Sequence, residues 1–88
     1  MLSLEQLQQV TSDLEKMPLN EQAVSWLRVN YPGIHFTYCL DDDIPNHEPV
    51  LATDGFNLYL IDGREHCLCL TQDFADASGI VVAEVLED

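Results

Sequence analysis

Asp54-Gly55-Phe56-Asn57-Leu58-Tyr59-Leu60-Ile61-Asp62-Gly63 is the stretch from which the fold is read. Asp-Gly is favoured where the backbone takes a positive φ, and beside apolar runs it signals a β-hairpin. A second run, His66-Cys67-Leu68-Cys69-Leu70-Thr71, follows the second Asp-Gly pair. Residues 56–61 and 66–71 are therefore expected to fold back on each other as antiparallel strands. A two- or four-residue connection puts Phe56, Leu58 and Leu60 on one face with Cys67 and Cys69; a three-residue connection with a bulge shifts the pairing by one. The first register is preferred because it sets large residues against small ones. The opposite face then carries Tyr59, His66, Leu68 and Leu70, which is too apolar for plain solvent surface. The last strand and its loop, or a partner, must cover it.

Upstream, Ile34, Phe36, Tyr38 and Leu40 alternate with His35, Thr37 and Cys39, the period of a half-buried strand. That strand stops at Asp41-Asp42-Asp43. Residues 41–55 hold Pro45 and Pro49, with Val50-Leu51-Ala52 as the one candidate for an extra strand. Connections this long are uncommon in compact domains and are often functional. Downstream, residues 72–78 form a polar loop around Phe74, and residues 79–85 read as a last strand.

The first third has helical spacing. Ser3 with Gln6 fits a capping box, and Leu4, Leu7, Val10 and Leu14 form one stripe. Pro18 ends that helix near Lys16. Asn20 caps a second helix with Ala23, Val24, Trp26, Leu27 and Tyr31 as its apolar face, and Pro32-Gly33 ends it. The expected architecture is α+β in a single domain over residues 1–88. A helical hairpin (1–32) packs on a three- to four-stranded antiparallel sheet (33–88) that carries the long acidic loop 41–55.

The chain has 88 residues, sixteen acids against three bases, and a net charge of −13. The three bases are Lys16, Arg28 and Arg64. Two of them and four acids lie up to Pro32; one base and twelve acids lie beyond it, so the sheet segment carries about −11. Such a surface repels phosphate backbones and anionic lipid. It favours a basic protein surface, a cation, or solvation alone. No basic n-region with a continuous apolar stretch stands at the start, and no run approaches the roughly 20 apolar residues of a membrane span. Three cysteines and no export signal lead to the expectation of a reduced, cytoplasmic setting.

Three constellations bear on chemistry. Cys67-x-Cys69 places two thiols at strand spacing, so a metal or redox carrier using Cys67, Cys69 and Cys39 is one alternative. A structural zinc or iron–sulfur site needs four ligands, and buried packing is the ordinary role of free cysteines. Asp41-Asp42-Asp43 with Asn46 and Glu48 lacks the glycine and distal glutamate of a calcium loop. Its carboxylates suit a contact with a basic groove instead. For nucleophilic catalysis, His35 and Cys39 lie about 13 Å apart along a strand, too far for a hydrogen bond. Neither a nucleophile elbow nor a paired acid and base can be traced, so the chain is read as not an enzyme, with no cofactor.

The runs 35–43 and 54–68 resemble a small acidic proteobacterial family of unknown function found beside nitrogen-fixation genes. The resemblance implies a cytoplasmic accessory protein that binds a nitrogenase component, first the molybdenum–iron protein. It would assist assembly, protection or stabilisation of an inactive state. No catalytic residue carries over from it. The expected partner-binding residues are Asp41, Asp42, Asp43, His47, Glu48, Tyr59, Arg64 and His66, on the acidic turn, the long loop and the outer hairpin face. A generic acidic protein-binding regulator is the remaining alternative.

Overall fold

Ser3 opens the first regular element as its sequence predicts. Its hydroxyl accepts the Gln6 N–H (3.2 Å), and the Gln6 side chain accepts the Ser3 N–H (3.0 Å). Helix α1 runs Leu4–Leu14 and buries Leu7, Val10 and Leu14. Asn20 caps α2, Glu21–Asn30, through the Ala23 N–H (3.0 Å). Helix α2 buries Ala23, Val24 and Leu27. Trp26, expected on that apolar face, is instead 42% exposed, because the stripe that meets the sheet is 23-24-27 and position 26 turns away from it. After Pro32 the chain reverses at Gly33, whose φ of +92° is a conformation that side-chain-bearing residues rarely adopt. Tyr31 ties the two helices together, its hydroxyl donating to Asp13 Oδ2 (2.6 Å).

The computed structural model describes residues 2–44, 47–63 and 69–86. Its strands are β1 (His35–Leu40), β2 (Leu51–Ala52), β3 (Phe56–Asp62), β4 (Cys69–Thr71) and β5 (Gly79–Glu84), with a 3-10 turn at Asp41–Asp43. They form a five-stranded sheet in the order β1-β5-β3-β2, with β4 also paired to β3. The class is α+β, as expected, with the helices at the N-terminal end of the chain. The sheet is mixed rather than purely antiparallel. β5 runs antiparallel to β3 but parallel to β1, with Tyr38 opposite Val82. The last strand enters between the first strand and the hairpin instead of closing an edge. The physical reason is legible in Ile80-Val81-Val82-Ala83, which is apolar at every position and buried on both faces, as a central strand must be. Gly79 admits β1: a Cβ there would lie 2.8 Å from the His35 carbonyl oxygen.

Over the described part of β4 the sharing of faces agrees with the preferred reading, since Leu60 lies opposite Thr71, but the pairing does not: Ile61 is opposite Leu70 and Asp62 opposite Cys69, four residues further along than a two- or four-residue connection sets it. Asp54-Gly55 is itself a two-residue hairpin turn, joining β2 to β3 with Ala52 opposite Asn57. Gly55 takes no positive φ, contrary to the usual demand of Asp-Gly. Thr53 closes this turn: its N–H and its hydroxyl both donate to the Phe56 carbonyl (2.8 Å each).

One face of the sheet meets the helices. Phe36, Phe56, Leu58, Leu60, Ile80 and Val82 join Leu7, Val10, Leu14, Val24 and Leu27 in the main core. The other face holds a smaller cluster of Tyr59, Ile61, Val81 and Ala83, packed with Cys39, Ile44 and Leu70. Among the described residues, no helix is long and apolar enough to cross a membrane.

Candidate docking surface

The acidic turn begins where β1 ends. Ile44 N–H donates to the Asp41 carbonyl (3.0 Å), so the three aspartates turn back over the second face of the sheet. Asp41 points inward. One of its oxygens, Oδ1, accepts the Tyr59 hydroxyl (2.7 Å) and the Asn57 amide (2.9 Å). Asp42 and Asp43 remain exposed. The turn is therefore anchored by its first carboxylate and presents the other two to solvent.

The expected partner-binding residues separate accordingly. His47 and Glu48 are exposed and line, with Tyr59, Leu70, Thr71 and Gln72, an open hollow of about 380 Å³. Gln72 Nε2 donates to the Glu48 carbonyl at the outer limit of hydrogen bonding (3.4 Å). Tyr59, expected on an outer face, is only 3% exposed: its ring is part of the second cluster and its hydroxyl is given to Asp41. It supports the surface from beneath. Arg64 and His66 lie outside the described residues.

Asn57 belongs to this site and sequence reasoning missed it. The signal was an amide inside an apolar strand, where a polar side chain needs a partner. Here the partner is Asp41. A carboxylate held by a phenol and an amide replaces the cation that this base-poor chain does not supply. The same device recurs at all three tyrosines, since Tyr31 donates to Asp13 and Tyr38 to Glu84. Each phenol is pushed up from 10 to about 12. For Tyr31 and Tyr38 the hydrogen bond to the carboxylate is the main cause, with burial second. For Tyr59 burial leads and the bond to Asp41 follows.

Cys39 packs against the second cluster, and burial followed by the charges of Asp43 and Asp41 raises its thiol pKa. That environment opposes the thiolate that nucleophilic or metal chemistry uses. Position 69 pairs with Asp62 in the ladder. Cys67 and the Cys69 side chain lie outside the described residues. Among the described residues, no group of three or more His, Cys, Asp or Glu side chains is placed to hold a metal ion. Another hollow, about 460 Å³, opens beside Gly33 and Ser78. Its polar lining is already engaged: Gln6 serves the α1 cap, Asn30 donates to the Trp26 carbonyl (2.8 Å), and the Tyr31 hydroxyl goes to Asp13.

Neither a curated protein nor a solved structure matches this chain. A family does match, over residues 6–85, which takes in all but the first two residues of α1, the whole of α2 and the whole sheet. The chain belongs to DUF6129, a family of unknown function.

Proposed function

We propose that this chain is a non-enzymatic accessory module that docks on a basic surface of a partner protein through Asp42, Asp43, His47 and Glu48. One observation carries the reading. Asp42 and Asp43 are held side by side in solvent by a turn whose first carboxylate is fixed to Tyr59 and Asn57. Surface carboxylates tethered in this way lose less side-chain freedom on contact than a floppy acidic loop would. The sixteen acids and three bases add long-range steering toward cationic surfaces.

The sequence resemblance to a family found beside nitrogen-fixation genes supplies the first partner to try, a nitrogenase component and above all the molybdenum–iron protein. In that setting the module is cytoplasmic and assists assembly, protection or stabilisation of an inactive state. The test is binding of the purified chain to purified molybdenum–iron protein at low and at high salt. The expected result is association that weakens steeply with salt and falls about tenfold or more in the Asp42→Asn/Asp43→Asn double variant. No association at low salt overturns the choice of partner. Association that ignores both salt and the double variant overturns the docking surface.

A further inference from the structure

Strand β1 lies at the edge of the sheet, and its only ladder partner among the described residues is β5. The His35 N–H donates to the Ser78 carbonyl (3.2 Å), which sets the odd-numbered residues of β1 toward β5. By alternation, the backbone groups of Phe36, Tyr38 and Leu40 face the open edge. Arg28 verifies this direction, since its Nε and Nη2 both donate to the Phe36 carbonyl (3.3 and 3.0 Å). One of only three cations in the chain thus caps one point of the edge. The Tyr38 N–H and carbonyl and the Leu40 N–H have no such cover among the described residues.

Acids flank this uncovered part on both faces. Tyr38 donates its hydroxyl to Glu84 and feels the charge of Glu21. Cys39, on the opposite face, feels Asp43 and Asp41. An uncovered strand edge is a template for another strand, and these surroundings choose which one. A second copy of this chain brings another −13 charges to the contact and is disfavoured. An extended segment bearing lysine or arginine has both the backbone groups and the charge to match.

We infer that the free edge of β1 receives, by strand addition, an extended cationic segment of a partner protein, at Tyr38 and Leu40. The inference rests on the docking reading above and gives it a backbone component. Main-chain hydrogen bonds supply register, and the flanking acids select lysine- or arginine-bearing segments over neutral or acidic ones.

The experiment uses the full chain, isotope-labelled, with a short synthetic peptide alternating lysine and valine. A peptide with glutamate in place of lysine serves as control. Amide exchange is followed by NMR. The expected result is salt-sensitive binding of the lysine peptide alone, with exchange at Tyr38 and Leu40 slowed about tenfold or more and interior amides such as Val81 unchanged. Tyr38→Pro removes the outward N–H at an edge position, where proline is tolerated, and should weaken binding about tenfold; Tyr38→Phe keeps the N–H and should bind as the natural chain does. If Tyr38→Pro fails to fold, the exchange pattern of the natural chain decides by itself. Binding that protects nothing at Tyr38 and Leu40 while shifting Asp42, Asp43 and Glu48 overturns strand addition and leaves the docking reading standing. Protection of the edge that grows with protein concentration, without peptide, assigns the edge to a second copy and overturns the inference. Failure of the lysine peptide to bind at low salt also overturns it, and the docking reading is then judged by its own assay with the molybdenum–iron protein.

Discussion

Leu58, Leu60, Ile80 and Val82 have no exposed surface and share one cluster with the apolar stripes of both helices. On the other side of the same strands, Tyr59, Ile61, Val81 and Ala83 are also buried, though less completely apart from Ala83, and their described neighbours are Cys39, Ile44 and Leu70. The first face is closed by regular elements and by volume. On the second, the described packing comes from the neighbouring strands through Cys39 and Leu70 and from the acidic turn through Ile44, and part of its cohesion is polar: Asp41 gathers Tyr59 and Asn57 into one hydrogen-bonded group. The difference teaches how a small acidic chain can bury a sheet face and still present carboxylates to solvent. A helix layer buries a face and finishes it, whereas a pinned loop buries a face and still leaves carboxylates outside.

The largest effect that tests this contrast is truncation on each side. Leu58→Ala opens a cavity among helix and sheet side chains and should cost about 2–5 kcal/mol. Val81→Ala on the second face removes two methyl groups under a cover that can settle, and should cost about 1.5 kcal/mol. Urea denaturation of both variants measures the difference. Equal losses would break the comparison, because they would mean that the loop packs as rigidly as the helices.

Next in size is the polar tether. Tyr59→Phe keeps the ring in its cluster and deletes the hydroxyl that Asp41 accepts. A hydrogen bond to a charged group contributes about 1.5–3 kcal/mol, so the loss should lie in that range. The same variant should speed amide exchange at Ile44, whose N–H closes the acidic turn on the Asp41 carbonyl. Stability lost with no change at Ile44 would show that Tyr59 serves the cluster alone and does not hold the turn.

Much of the first face was legible in sequence. Ser3 and Gln6 announced the α1 cap, Asn20 announced the α2 cap, and three of the four stripe residues, Leu7, Val10 and Leu14, proved buried while Leu4 is exposed; these are local patterns within a turn or two of helix. The positions of β1, β3 and β5 were legible for the same reason, as was which residues of β3 and β4 share a face, but the β3–β4 pairing lies four residues from the expected one. The parallel pairing of β1 with β5 was not, because it joins residues more than forty positions apart, such as His35 and Gly79, and no local period encodes which edge a strand takes. The unbroken apolar run from Ile80 to Ala83 was the available clue, since an edge strand would have alternated. The acidic turn was visible as a run of charge, but its division into one inward and two outward carboxylates was not. That division depends on Asn57 and Tyr59, sixteen and eighteen residues away, reaching the same oxygen.

Alkali tests a feature the two faces share. All three phenols lie at about 12 in the folded chain, against an ordinary value near 10 when unfolded. The folded state therefore holds these protons more tightly. Its advantage is complete below about pH 10 and is lost as pH rises through about 12. Denaturation midpoints should stay level on this account up to pH 10 and then fall, with tyrosinate absorbance rising in step. Tyr59→Phe and Tyr31→Phe should each flatten that fall, and to a similar degree, because both phenols are pushed up to about 12 by burial and a carboxylate partner. An alkaline fall that neither variant flattens would place the sensitivity elsewhere than in these phenols.

The smallest effect concerns reactivity rather than stability, and it probes how tightly the loop covers Cys39. Alkylation needs the thiolate. Burial, Asp43 and Asp41 all oppose that form, in that order, so the folded chain should be alkylated at Cys39 more slowly than the urea-unfolded chain at the same pH. Peptide mass mapping after timed quenching separates Cys39 from Cys67 and Cys69. Asp43→Asn removes one opposing charge without uncovering the sulfur, so a purely electrostatic restraint would let the rate rise several-fold in that variant. Tyr59→Phe loosens the turn and leaves the charges in place, so restraint by cover would raise the rate there instead. Burial stands first among the causes that hold the thiol protonated, so Tyr59→Phe should give the faster labelling of the two.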